Sequence, residues 1–162
     1  MSVTADIVQG WLRPKAVMRQ HLARPVSEPF AFSLLVAFLV LAFVSLWPFM
    51  SRLSLQQPQV PMVQRLVGAG LALLASIPFW YGVAALSHWL AKIFGGRGSF
   101  YRARLALFVA LVVVTPAMLL QGLVAGVIGP GRQLDLIGVG VGVGFLWIWL
   151  SMLVEAERGY AN

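Results

Sequence analysis

LALFVALVVVTPAMLLQGLVAGVIGPG, residues 105–131, holds no charged side chain and would run about 40 Å as an α-helix. Crossing a hydrocarbon core of ~30 Å takes roughly 20 apolar residues, so this stretch is long enough to span a bilayer. It does not stand alone. Residues 29–51, 66–91 and 136–154 are equally free of Asp, Glu, Lys and Arg. A water-soluble fold of 162 residues cannot bury four such segments. The expected fold is therefore all-α, a polytopic transmembrane helical bundle of four spans with an N-terminal amphipathic segment. A fifth span arises if one of the four is broken at its proline.

Composition agrees: 60% of residues are hydrophobic and only 10% charged, against roughly 25% charged in soluble domains. The spans divide the chain into a head (1–28), a bundle (29–154) and a tail (155–162), with no length left for a separate soluble domain. With no cysteine, disulfides and thiolate-ligated metals are excluded. The first long apolar run starts only near Pro29, so the N-terminus does not read as a cleavable signal.

The net charge of +7 does not point to nucleic acid, because the basic residues flank the spans, where they set topology. If four spans alternate, one side holds nine of the twelve basic residues: Arg13, Lys15, Arg19, Arg24, Lys92, Arg97, Arg102, Arg104 and Arg158. The other side holds Arg52, Arg65 and Arg132. The positive-inside rule puts the nine, and both termini, in the cytoplasm.

In the head, Ile7, Trp11, Met18 and Leu22 fall on one helical stripe, with Pro14 as a break. A tryptophan on an apolar stripe among arginines suits a segment in the headgroup region. Trp11, Arg13, Lys15, Arg19, Lys92, Arg97, Arg102 and Arg104 are accordingly the candidates for contact with lipid or a partner. Membrane lipids, through anionic headgroups at the cytoplasmic face, are the first expected partner, at about 1 kcal/mol per basic residue. Other membrane proteins or a second copy of the chain are the next.

Two spans carry an internal proline, Pro78 and Pro116, and both are expected to kink or tilt their helices. Each proline frees backbone carbonyls, which Ser76 and Thr115 stand ready to satisfy. Span four contains Gly138, Gly140, Gly142 and Gly144. As a helix it presents Gly138 with Gly142 on one face and Gly140 with Gly144 on roughly the opposite one, both suited to close helix contact. Gly122 and Gly126 give span three a similar pair, expected to meet span four across the short turn Gly129-Pro130-Gly131.

Catalytic chemistry is hard to find. The acidic residues Asp6, Glu28, Asp135, Glu155 and Glu157 all lie at or beyond span ends. His88 sits one turn from Lys92 and reads as a headgroup-level side chain, and His21 lies in the head. Neither a metal site, a cofactor site nor a nucleophile–base pair is expected. Ser99 is placed to cap the helix after the loop Phe94-Gly95-Gly96-Arg97-Gly98-Ser99-Phe100, whose glycines allow a sharp reversal.

The order of features resembles a known family. Arg13-Pro14-Lys15-Ala16-Val17-Met18-Arg19 precedes the first span. A long apolar helix ends in Ala91-Lys92-Ile93-Phe94-Gly95-Gly96, then come Gly98-Ser99-Phe100 and a helix with Thr115-Pro116. This is similar to bacterial members of the Yip domain family, named after Ypt/Rab-interacting membrane proteins. The resemblance implies a small helical integral membrane protein with a cytoplasmic N-terminus and no catalytic activity. Eukaryotic relatives are associated with Rab GTPases and vesicle traffic, a role that does not carry over to a chain without their longer cytoplasmic head. The family is described with five membrane segments. Ten arginines against two lysines suit a GC-rich bacterium, and hence its inner membrane. The functional expectation is a non-enzymatic protein that organises helices, lipids or partner proteins. A small transporter or channel subunit, with the proline kinks marking a passage, and an accessory subunit of a larger complex are the alternatives.

Because the chain lacks cysteine, sidedness can be read on a clean background. A membrane-impermeant maleimide should label Phe94→Cys only from the cytoplasmic side and Gln57→Cys only from the other. Labelling of both from one side would refute the alternation of spans.

Overall fold

The computed structural model describes residues 3–158, with side chains from residue 7 onward. Residues 1–2 of the head and 159–162 of the tail lie outside the described residues. Among the described residues seven helices follow one another: α1 (Val3–Leu12), α2 (Pro14–Leu22), α3 (Glu28–Gln56), α4 (Met62–Ala75), α5 (Ile77–Ile93), α6 (Phe100–Val127) and α7 (Arg132–Glu157). Among the described residues there is no strand.

Local chemistry sets the boundaries. Pro14 opens α2 because a first-turn position needs no N–H donor. Ser27 caps α3 by accepting from the Phe30 N–H at 3.3 Å; Ser99, the cap expected from the sequence, accepts from the Arg102 N–H at 3.3 Å at the start of α6. Gly95 and Gly129 turn the chain with φ of 86° and 88°, a region costly for any residue with a Cβ. At the end away from the termini, the Arg52 guanidinium donates to the Gly126 and Val127 carbonyls at 3.2 and 2.9 Å. It thereby satisfies orphan acceptors at the negative end of α6.

Four helical stretches among the described residues are long and apolar enough to cross a membrane: Glu28–Gln56, Met62–Ile93, Phe100–Val127 and Arg132–Glu157. The second consists of α4 and α5. Its 14 and 17 residues would rise only about 21 and 26 Å separately, short of the hydrocarbon thickness, so they make one broken span and not two. The break is mild. Ser76 keeps helical dihedrals, its N–H still reaches the Ala72 and Leu73 carbonyls, and its hydroxyl donates to the Leu73 carbonyl at 2.6 Å. In α6 the helix continues through Pro116. The carbonyl that Pro116 cannot bond, four residues back at Val112, accepts from the Thr115 hydroxyl at 2.7 Å.

α6 is the axis of the bundle. From Ala103 to Thr115 every residue but Arg104 is buried, whereas from Pro116 onward nearly all are partly or fully exposed. The change has a packing cause. α3 and α7 flank α6, while α5, α1 and α2 add to the end nearest the termini. The head is thus part of the bundle and not a layer lying apart on its surface. Val17 and Met18 of α2 are wholly buried. Trp11 donates its indole N–H to the Val113 carbonyl at 3.0 Å, nine residues or about 14 Å along α6 from Arg104. α4, by contrast, has no buried residue.

The glycines pair differently from the expectation. A Cβ on Gly122 would collide with the Ser45 carbonyl, and one on Gly126 would collide with Pro48, so this pair fits α6 to α3 and not to α7. The reason is register, which a helical wheel cannot supply: the Gly122 and Gly126 face looks toward span one. In α7, Gly138 lies against the Gln121 side chain and Gly144 against the Trp11 ring, where a Cβ would come within 2.8 Å. Gly140 and Gly142 face open space, so the two predicted faces are each half used.

Gly122→Leu should therefore destabilise the bundle by about 3 kcal/mol or more, the upper range for overpacking, since a backbone carbonyl cannot move aside as a side chain can. Gly140→Leu should leave stability within about 0.5 kcal/mol. Thermal unfolding in detergent would compare the two, and equal effects would contradict this packing.

Candidate functional site

Polar chemistry concentrates at the end of the bundle where α2, the 94–99 loop and the end of α7 meet. Two carboxylates organise it. Glu155 and Glu157 are two residues apart on α7, which sets their side chains about 200° apart around the helix axis. Each therefore grips a different part of the molecule.

Glu157 faces α5 and the glycine loop. Its Oε1 lies 2.6 Å from His88 Nδ1, both side chains being buried, and its Oε2 accepts from the Gly98 N–H at 2.9 Å. The edge of Phe100 covers the imidazole, with ring centroids 4.4 Å apart. The Arg97 N–H adds a backbone bond to the Glu157 carbonyl at 2.8 Å. The loop glycines make this approach feasible. A Cβ on Gly96 or Gly98 would come within 2.8 or 2.7 Å of the carboxylate. The loop is thus more than a reversal: its missing side chains leave room for a buried anion.

Glu155 faces the head. It is fully buried and accepts from Arg19 Nε at 2.6 Å, with Arg158 Nη1 at 3.4 Å from its other oxygen. A third carboxylate, Glu28 at the start of α3, receives Arg104 Nη2 at 2.5 Å, and the same guanidinium lies 5.5 Å from the Tyr81 ring centroid. Tyr101 completes the tie between α3 and α6, its oxygen accepting from the Ser27 N–H at 3.2 Å. Burying a carboxylate costs several kcal/mol unless pairing and hydrogen bonds offset it, and here both are present. Each of these ties joins one helix to another element of the fold.

Of the predicted contact residues, Arg19 and Arg104 are drawn into these ties and Trp11 into the bundle. Arg13, Lys15, Lys92 and Arg97 are exposed and Arg102 partly so, and no carboxylate among the described residues pairs with them. Two apolar grooves open beside α7 at this end. One, of about 640 Å³, runs between α5 and α7, with Leu90, Trp149 and Leu153 in its walls and Arg97 and Arg158 at its rim. The other, of about 650 Å³, runs between α2 and α7, with Leu12 and Trp147 in its walls and Arg13, Lys15 and Arg19 around it. Leu150 and Val154 form the ridge between them.

A family model for the Yip1 domain matches residues 9–156, nearly the whole architecture just described. The chain belongs to the Yip1 domain family. No curated protein and no solved structure matches it. The Yip1 match begins inside the head, in keeping with α2 being packed on α6 and α7. It also makes the chain an integral membrane protein of the Yip type. The buried ties of this Yip1 domain escaped the sequence reading: His88 and Glu157 are 69 positions apart, and each looked like an ordinary span-end residue. The usable signal was the pairing of a close-spaced glycine loop with a Glu-x-Glu at a span end.

Glu157→Ala leaves the His88 ring nitrogen and the Gly98 N–H without their partner and should cost about 1–3 kcal/mol for each group left buried and unpaired. Replacing both residues by leucine should recover part of that loss. Denaturant titration in micelles reads both changes, and additive losses would show that the two side chains do not interact.

Proposed function

We propose that this Yip1 domain protein is a non-enzymatic membrane scaffold whose basic end faces the cytoplasm and gathers anionic lipid around it. One observation carries the reading. The described carboxylates at that end, Glu28, Glu155 and Glu157, are consumed in ties between helices. No described carboxylate pairs with the side chains of Arg13, Lys15, Lys92, Arg97 or Arg102. Cations in that position draw phosphate headgroups at about 1 kcal/mol each, an attraction that falls off within a Debye length. The positive-inside rule supports the cytoplasmic orientation, and the engaged state of His88 and the carboxylates supports a structural role for them over acid–base work.

Extraction into polymer-bounded discs, followed by lipid quantification, tests the proposal. Wild type should carry a higher anionic fraction than the bulk membrane, and Lys92→Glu with Arg102→Glu should lower it. A wild-type disc with the bulk composition would overturn the reading.

A further inference from the structure

The groove between α5 and α7 has a construction that the general charge of this end does not require. We infer that it is a discrete binding site for one anionic phospholipid, with an acyl chain lying along Leu90, Trp149, Leu150 and Leu153 and the phosphate held by Arg97 and Arg158. This deepens the proposed function and rests on it.

The two arginines are brought together by the fold. Arg97 is anchored by its own backbone N–H to the Glu157 carbonyl at 2.8 Å, and Arg158 is the next residue after Glu157. Two arginines that come from positions 61 residues apart thus line the same groove. Guanidinium is suited to phosphate through paired N–H donors, and two of them match a phosphodiester better than scattered lysines do. The opposing charge close by is Glu157, which also lines the groove. Its carboxylate is already bonded to His88 and to the Gly98 N–H, which reduces its repulsion of an incoming anion. Arg158 is shared with Glu155 only at 3.4 Å, and its side chain is 54% exposed, so it can still face a ligand.

The apolar part fits the other end of the same molecule. Leu90 and Leu150 are about half exposed along the groove, and a volume of about 640 Å³ is of the size that holds a small-molecule ligand or a lipid chain. An extended peptide would leave backbone amides unsatisfied against these walls, whereas a hydrocarbon chain asks for no hydrogen bond. Charge at the rim and apolar walls below it together specify an amphiphile with an anionic head.

Native mass spectrometry of the delipidated full-length protein, titrated with phosphatidylglycerol or phosphatidylcholine, tests the site. Wild type should retain one phosphatidylglycerol and discriminate against phosphatidylcholine. Arg97→Gln with Arg158→Gln should weaken retention by roughly tenfold or more. Leu90→Trp, which fills the groove without altering any charge, should weaken it comparably. Lys92→Gln with Arg102→Gln, at the same end but outside the groove, should change it little. Equal retention of both lipids, or loss through the Lys92 and Arg102 pair but not through Leu90→Trp, would overturn the inference. In that second case disc measurements could still find anionic enrichment, so the scaffold reading would stand without the site. Absence of enrichment in wild-type discs would remove the scaffold reading itself.

Discussion

Two carboxylates at the end of one helix hold this molecule together. Glu155 and Glu157 point to opposite sides of α7, one to the head and the other to α5 and its glycine loop. A single helix terminus thereby cross-braces three separate segments. Such an arrangement works only because every participant is in place. A buried carboxylate without its partners is costly, and each partner here comes from a different stretch of chain. The Arg19 tie adds to the apolar packing of Val17 and Met18 that seats α2, and the Glu157 carboxylate fills the space that Gly96 and Gly98 leave open.

Around that brace the bundle is uneven. The half of α6 nearest the termini is enclosed by five other helices, while its far half is held chiefly by α3 and α7. The contact with α3 is made by absence of side chains, at Gly122 and Gly126, and the contact with the head by insertion of one, at Trp11. Both devices are usual where hydrocarbon surrounds helices, because van der Waals fit and hydrogen bonds replace the hydrophobic effect as the force between them. α4 lies outside this scheme, resting on α3 and joined to α5 through the mild break at Ser76.

The spans were legible because their signal is local: a charge-free run of sufficient length means the same thing in any context. Local hydrogen bonds were legible for the same reason, as the Thr115 bond to Val112 and the Ser99 cap show. What could not be read was which face meets which. Gly122 and Gly126 announced close packing without naming α3 as their partner, since a helical wheel gives directions around one axis only. His88 and Glu157 each had an innocent local explanation, and their bond exists only in three dimensions. Met18 was placed on an apolar stripe, but Val17 beside it is equally buried, because α2 is covered on more than one side.

The bond between Arg19 and Glu155 joins groups 136 positions apart, one before the first span and the other at the close of the last. A ribosome delivers these segments in order, so the head emerges long before the anion that will fasten it. The Arg19 bond to Glu155 cannot form until that anion emerges, and α6 must enter the bilayer before α3 finds its glycine partner. That tie therefore closes late in synthesis, once the final turn of α7 has emerged, whereas the Trp11 bond to the Val113 carbonyl becomes possible as soon as α6 is in place.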